Sequence, residues 1–147
     1  MLISCFEKFS QNENYFLETG TSTAVIAILK PRTKTIATTL LGDSAYMIIR
    51  PKKDSRIDKL YRSIEQQHYF DCPFQWGTRG DNPSKARDEE HSVLHNDIIV
   101  MGTDGVWDNC FDKELIDIIK QSIDSNGNLI DPQNGKIWIL FTYIIIC

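Results

Sequence analysis

The sequence predicts an α+β fold, with antiparallel strands leading and an amphipathic helix behind them. Three observations carry this reading. Three apolar runs rich in β-branched residues, Ala24–Leu29, Thr35–Leu41 and Ala45–Arg50, follow one another across short turns, the pattern of antiparallel strands. Two apolar runs end in acidic turns, Gly42-Asp43-Ser44 and Thr103-Asp104-Gly105-Val106-Trp107-Asp108-Asn109. Beyond the second, residues 112–123 show helical apolar spacing.

The elements follow in order. Met1–Phe9 reads as the end of an amphipathic helix, with Leu2, Phe6 and Phe9 on one face, and residues 10–14 form a polar linker. Gly20-Thr21-Ser22-Thr23 opens the first long strand, and Lys30-Pro31 closes it. With Thr35–Leu41 and Ala45–Arg50 this predicts a three-stranded meander. Ile57–Ile64 fits either a strand or a short helix. Residues 66–88, rich in aromatics, Pro and Gly, read as a long ordered loop, a length that usually serves function. Ser92-Val93-Leu94, the turn His95-Asn96 and Asp97–Gly102 predict a hairpin. Asp112 is placed to cap the helix, with Leu115, Ile118, Ile119 and Ile123 on its buried face. Asp124-Ser125-Asn126-Gly127 supplies the turn that ends it.

The bulk numbers narrow the function classes. A chain of 147 residues with 41% hydrophobic and 24% charged residues is globular in composition and fits one domain. A net charge of -4 argues against nucleic-acid binding through general electrostatics. The basic clusters at 30–34 and 50–53 read as solvated turns beside proline. Four scattered cysteines, Cys5, Cys72, Cys110 and Cys147, form no C-x-x-C pair and point to a reducing, intracellular setting. Residues 137–147 are almost wholly apolar but shorter than the roughly 20 residues a membrane helix needs. The run is open to three readings, a buried strand pair, a truncated span or translated non-coding sequence, and the unmatched tail, 124–147, is read first as a truncation or gene-model artefact.

Carboxylates at strand ends are how a sheet builds a site for hard cations, which prefer oxygen ligands. Asp104 and Asp108 lie four residues apart in one turn, and Asp43 stands at a comparable strand end. Asp-Gly alone is a common turn former; the second carboxylate and the second acidic turn are what raise a metal site above that plain reading. Other constellations are weaker. His91-x-x-x-His95 has the spacing of helical zinc ligands but falls on an extended segment. His68 sits among Gln66, Gln67, Tyr69 and Phe70 and reads as a hydrogen-bonded, partly buried histidine. Residues 122–133 lack the terminal Glu of a calcium loop. Gly20–Thr23 lacks the Lys and the following helix of a phosphate loop.

In this order the motifs resemble the PPM (type 2C) metal-dependent serine/threonine protein phosphatases. Gly20-Thr21-Ser22-Thr23-Ala24 is similar to the family's G-[ST]-[ST]-A strand, Leu41-Gly42-Asp43-Ser44 to its GDS turn, and Thr103-Asp104-Gly105-Val106-Trp107-Asp108 to its [ST]-D-G-[LV]-[WF]-D motif. Residues 65–75, Asp81-Asn82-Pro83 and Asp97-Ile98-Ile99 resemble the subgroup that includes mitochondrial and plastid members. That likeness turns the expected localisation toward mitochondria, with the cytoplasm as the other intracellular choice.

The resemblance implies a β-sandwich of two antiparallel sheets flanked by helices (αββα), incomplete here, with residues 1–123 as a partial phosphatase domain. It implies two Mg²⁺ or Mn²⁺ ions, with a possible third, and a bridging water that attacks phosphoserine or phosphothreonine on protein substrates. Asp104 carries over as a core metal ligand, and Asp43 and Asp108 to the weaker third-metal site. The family's upstream Asp-Gly-x-Gly-Gly turn has no counterpart in the sequence, and Asp131-Pro132 is no substitute for its downstream acidic pair. No phosphate-binding arginine is assigned. The expectation is a phosphatase fragment inactive alone; the alternative is a pseudophosphatase that binds phosphoproteins or partners without turnover.

Overall fold

The structure, a computed structural model, describes residues 20–128, residue 130 and the backbone of 140–141. The expected helix Met1–Phe9, the Asp131-Pro132 turn and most of the apolar tail lie outside the described residues. The described chain forms two compact units, 20–44 with 64–92, and 45–63 with 93–130 and the strand at 140–141.

In the first unit, β1 (Thr21–Ser22) leads into β2 (Ala24–Lys30) and β3 (Thr35–Leu41). Strands β2 and β3 pair antiparallel from Ala24↔Leu41 to Lys30↔Thr35, closed by the basic turn at 31–34 that the sequence marks. The third strand of this sheet is β9 (Arg87–Ser92), antiparallel to β3. Ile36, Leu40 and Leu41 supply its buried apolar side chains. The segment between, expected as a loop, is more ordered than that. It holds β6 (Gln67–Tyr69) paired with β7 (Cys72–Pro73), β8 (Trp76–Gly77) paired with β1, and a 3₁₀ turn at Pro83–Lys85.

The second unit is built on the sheet β11-β10-β4-β5, in which β4 (Ala45–Pro51) lies between β10 (Ile98–Gly102) and β5 (Ile57–Arg62). These pairs are antiparallel; the short β11 (Leu140–Phe141) runs parallel to β10. Ile57–Arg62 is thus a strand and not a helix. Ala45 to Ile49 are all buried, as in a strand covered on both faces. Met47, Ile49, Ile98, Val100 and Ile123 form a core against which Ile57, Trp107, Leu115, Ile116 and Ile119 pack.

Two helical segments follow β10: α1 (Asp104–Trp107) and α2 (Asp112–Lys120). Leu115 and Ile119 face the core as expected, but Ile118 is exposed and Ile116 takes the inward place. A helix of 3.6 residues per turn puts 115, 116 and 119 on one stripe and 118 at its edge. The cap also differs: the Glu114 carboxylate accepts from the Phe111 amide at 2.8 Å. Asp112 instead sits 2.8 Å from Lys59 Nζ on β5. Asp124 closes the following turn by accepting from the amides of Asn126 and Asn128, with Gly127 at φ 84°.

Two expected connections fail together. β3 and β4 do not pair, because the chain changes sheets at Gly42-Asp43-Ser44; β9 and β10 do not form a hairpin, because it changes sheets again at 93–97. Short turns make neighbours in sequence look like partners, and only the hydrogen-bond register separates a hairpin from a crossing. The α+β class, with mainly antiparallel sheets and few helices, stands as read.

Candidate functional site

The first acidic turn is fixed by its surroundings. Gly42 has φ 99°, a left-handed conformation that disfavours any side chain, and a Cβ there would fall on the Phe74 carbonyl oxygen and the Thr23 side chain. Its carbonyl accepts from the Gln66 amide at 2.8 Å, and its amide donates to Gln66 Oε1 at 3.3 Å. Ser44, buried, shares a 2.6 Å hydrogen bond between its hydroxyl and that of Thr23. The small residues of Gly20-Thr21-Ser22-Thr23 thus let this strand start pass close to the turn. Asp43 between them is 9% exposed.

The segment that grips Gly42 is itself tied together by Asp81. This carboxylate meets Lys85 Nζ at 2.8 Å, His68 Nε2 at 3.0 Å and the Gln75 amide at 3.0 Å. The Lys85 bond, helped by those of His68 and Gln75 and opposed by partial desolvation, holds the Asp81 carboxyl at about 2. The His68 ring packs on Phe74 with centroids 4.3 Å apart. His68 is therefore hydrogen-bonded as expected, though exposed.

The second acidic turn stands at the end of β10. Thr103 is extended at φ -79°, ψ 175°, and the chain enters α1 at Asp104. Asp104 Oδ1 accepts from the Gly105 amide at 2.7 Å, and the Asp108 amide donates to the Asp104 carbonyl at 2.8 Å. One helical turn separates the two carboxylates, which places them on one side of α1, and both residues are exposed. Packing against the strand end holds the turn. A Cβ on Gly102 would come within 2.8 Å of Val106, and the Trp107 indole donates to the Gly102 carbonyl at 2.9 Å.

The donor chemistry of Asp104 and Asp108, all oxygen and all carboxylate, suits a hard cation. Among the described residues no group of three or more His, Cys, Asp or Glu side chains gathers in a metal-holding arrangement. The zinc alternative gains nothing either. His91 lies on β9, 3.5 Å from Glu89, and His95 is exposed in the crossing turn. No helix among the described residues is long and apolar enough to cross a membrane.

Sequence reasoning missed Arg62, Asp81 and the Arg50–Asp97 pair. Arg50 binds Asp97 in bidentate fashion at 2.6 and 2.7 Å, and that bond raises the arginine's affinity for its proton. Asp97 also accepts from the Leu94 amide at 2.8 Å, which fixes the crossing turn before β10. Arg50 and Asp97 stand 47 positions apart along the chain, and no local spacing announces such a pair.

No protein-family model matches the chain. It is similar to the protein phosphatase PTC7 homolog fig of Drosophila melanogaster, 33% identical over 128 residues that cover 81% of this chain and 38% of that protein. A PTC7 protein phosphatase homolog of Xenopus laevis is 31% identical over 135 residues, 86% of this chain and 43% of that one. Among solved structures, the photosystem II phosphatase PBCP matches with a TM-score of 0.65 and 26% identity, over 85% of this chain and 52% of that one. The chain spans less than half the length of these curated relatives. With two of its motifs at strand ends and one at a strand start, and with these relatives in sequence and in fold, the chain belongs to the PPM-type protein phosphatase family, of which it carries part of the domain.

Proposed function

We propose that this chain is part of a metal-dependent protein phosphatase that hydrolyses phosphoserine and phosphothreonine on protein substrates. The observation that carries the reading is the pair of acidic turns, each at the carboxyl end of a buried strand and each within a motif that resembles one of the family's. Mg²⁺ or Mn²⁺ ions, where bound, would supply charge neutralisation on the phosphoryl group and an activated water. Asp104 would be a core ligand, with Asp108 and Asp43 at a weaker site. The chain's own part is to hold these carboxylates still: Gly102 and Trp107 fix the turn under Asp104 and Asp108, and Thr23 and Gln66 fix the turn around Asp43.

The described donor set is partial, so we expect the 147-residue chain to bind Mn²⁺ weakly and to turn over a phosphothreonine peptide near background. Calorimetric titration with Mn²⁺ should show that weak binding, diminished in Asp104→Asn. Robust Mn²⁺-stimulated hydrolysis, lost in Asp104→Asn, would overturn the incompleteness of the site while upholding its chemistry. Phosphopeptide binding indifferent to Mn²⁺ and to Asp104→Asn would instead favour a partner-binding pseudophosphatase.

A further inference from the structure

Beneath the second acidic turn lies a basic group that the function above does not use. Arg62 is the last residue of β5, and its guanidinium carbon lies 3.9 Å from the centroid of the Trp107 ring. Its Nε is 3.5 Å from Asp112 Oδ1 at the start of α2, and its Nη1 donates to the Ser63 carbonyl at 3.1 Å. Ser63 is buried, and its hydroxyl accepts from the Tyr46 amide at 2.9 Å on the central strand β4. The guanidinium is therefore held on one side by the sheet and on another by α2, with the indole against its face. Trp107 passes the restraint on, since its indole N–H is bonded to the Gly102 carbonyl at the end of β10.

We propose that Arg62 is the positioning residue of the acidic turn, acting through Trp107 to hold Asp104 and Asp108 in place. A four-residue helix cannot hold itself, because helix nucleation fixes several dihedrals for one hydrogen bond. The turn therefore needs a tertiary anchor at its carboxyl end, and Trp107 is the large side chain there. Arginine suits the task better than lysine: its planar group stacks on an aromatic face while its edge bonds to Asp112 and to Ser63. Asp112 answers in kind, its carboxyl held below the ordinary range chiefly by the Lys59 bond and further by Arg62. β5, Ser63 and α2 thus meet at the Arg62 guanidinium, which lies on the Trp107 ring.

The inference rests on the role given above to Asp104 and Asp108, but its test does not. Amide hydrogen exchange in Arg62→Ala should accelerate at Asp108 and Cys110, whose amides bond to the Asp104 and Val106 carbonyls, with β10 amides unchanged. The expected acceleration is about tenfold, the scale of a shielded cation–π contact. The Trp107 indole N–H resonance should shift at the same time. Arg62→Lys, which keeps the charge and Asp112 but loses the planar stack, should restore part of the protection and carries the test if Arg62→Ala does not fold. Unchanged exchange at Asp108 and Cys110 in both variants overturns the proposal, as does equal acceleration in β10 and α1. A calorimetric titration that shows no Mn²⁺ binding leaves the exchange result standing and counts only against the function.

Discussion

Asp43 lies buried in a turn gripped by Thr23, Gln66 and Phe74, whereas Asp104 and Asp108 stand exposed at the first residue and the carboxyl cap of a four-residue helix anchored by Val106 and Trp107. Both turns follow a buried strand and both pair Gly with Asp, so in sequence they look alike. The first is specified through its backbone. A left-handed glycine, two hydrogen bonds to Gln66 and a hydroxyl pair leave it one conformation. The second is specified through side chains on an otherwise ordinary helical turn. A backbone-specified turn resists substitution abruptly, while a side-chain-specified turn loosens by degrees.

The largest expected effect tests the rigid turn. Gly42→Ala forces a side chain onto the Phe74 carbonyl at φ 99° and should cost about 3 kcal/mol or more, read as a lowered urea midpoint. A loss under about 1 kcal/mol would show that this turn relaxes as readily as the other. Next comes Trp107→Ala, which removes a half-buried ring and its bond to Gly102 and should cost about 2–3 kcal/mol. That loss should appear first as faster exchange in α1, with the first unit's amides near Gly42 unaffected.

Acid gives a smaller, local effect in the first unit. The Asp81 carboxyl sits at about 2, below its ordinary 3.8. A depressed folded value means the contribution is present above 3.8 and is lost as pH falls toward 2. The Gln75 amide resonance, bonded to Asp81, should titrate with a midpoint near 2 and cease to do so in Asp81→Asn. The smallest effect belongs to the helical turn. At Gly105 a Cβ meets only Thr103 Oγ1 at 3.5 Å, so Gly105→Ala should be neutral or stabilising by up to about 1 kcal/mol. A strong loss there would erase the contrast between the two turns.

Asp43, Asp104 and Asp108 were legible because strand, turn and carboxylate are adjacent in sequence, and a run of β-branched residues closed by Gly-Asp or Asp-Gly has few other structures. The helix at 112–120 was legible for the same reason, through its 3.6-residue period, though the period alone turned Ile118 inward where the structure turns it out. Arg62 and Asp81 were not legible. Asp81-Asn82-Pro83 carries a family likeness, but neither it nor Lys59-Leu60-Tyr61-Arg62 announces the contacts these charges make until β5 lies beside β4 and the 66–86 segment folds back on itself.

By itself, the sequence determined the class of the fold, the strands at 24–29, 35–41 and 45–50, the two acidic turns and the family, all of which are set by contacts or patterns spanning a few residues. The tertiary structure alone decided that β3 and β4 part at Gly42-Asp43-Ser44, that β9 joins β3 while β10 joins β4, and that Arg62 underlies the acidic turn. The reason is one of range. Period and turn chemistry act along the chain, whereas strand partnership and side-chain anchoring depend on which distant segments exclude water together, and that choice is made only when the sheets form.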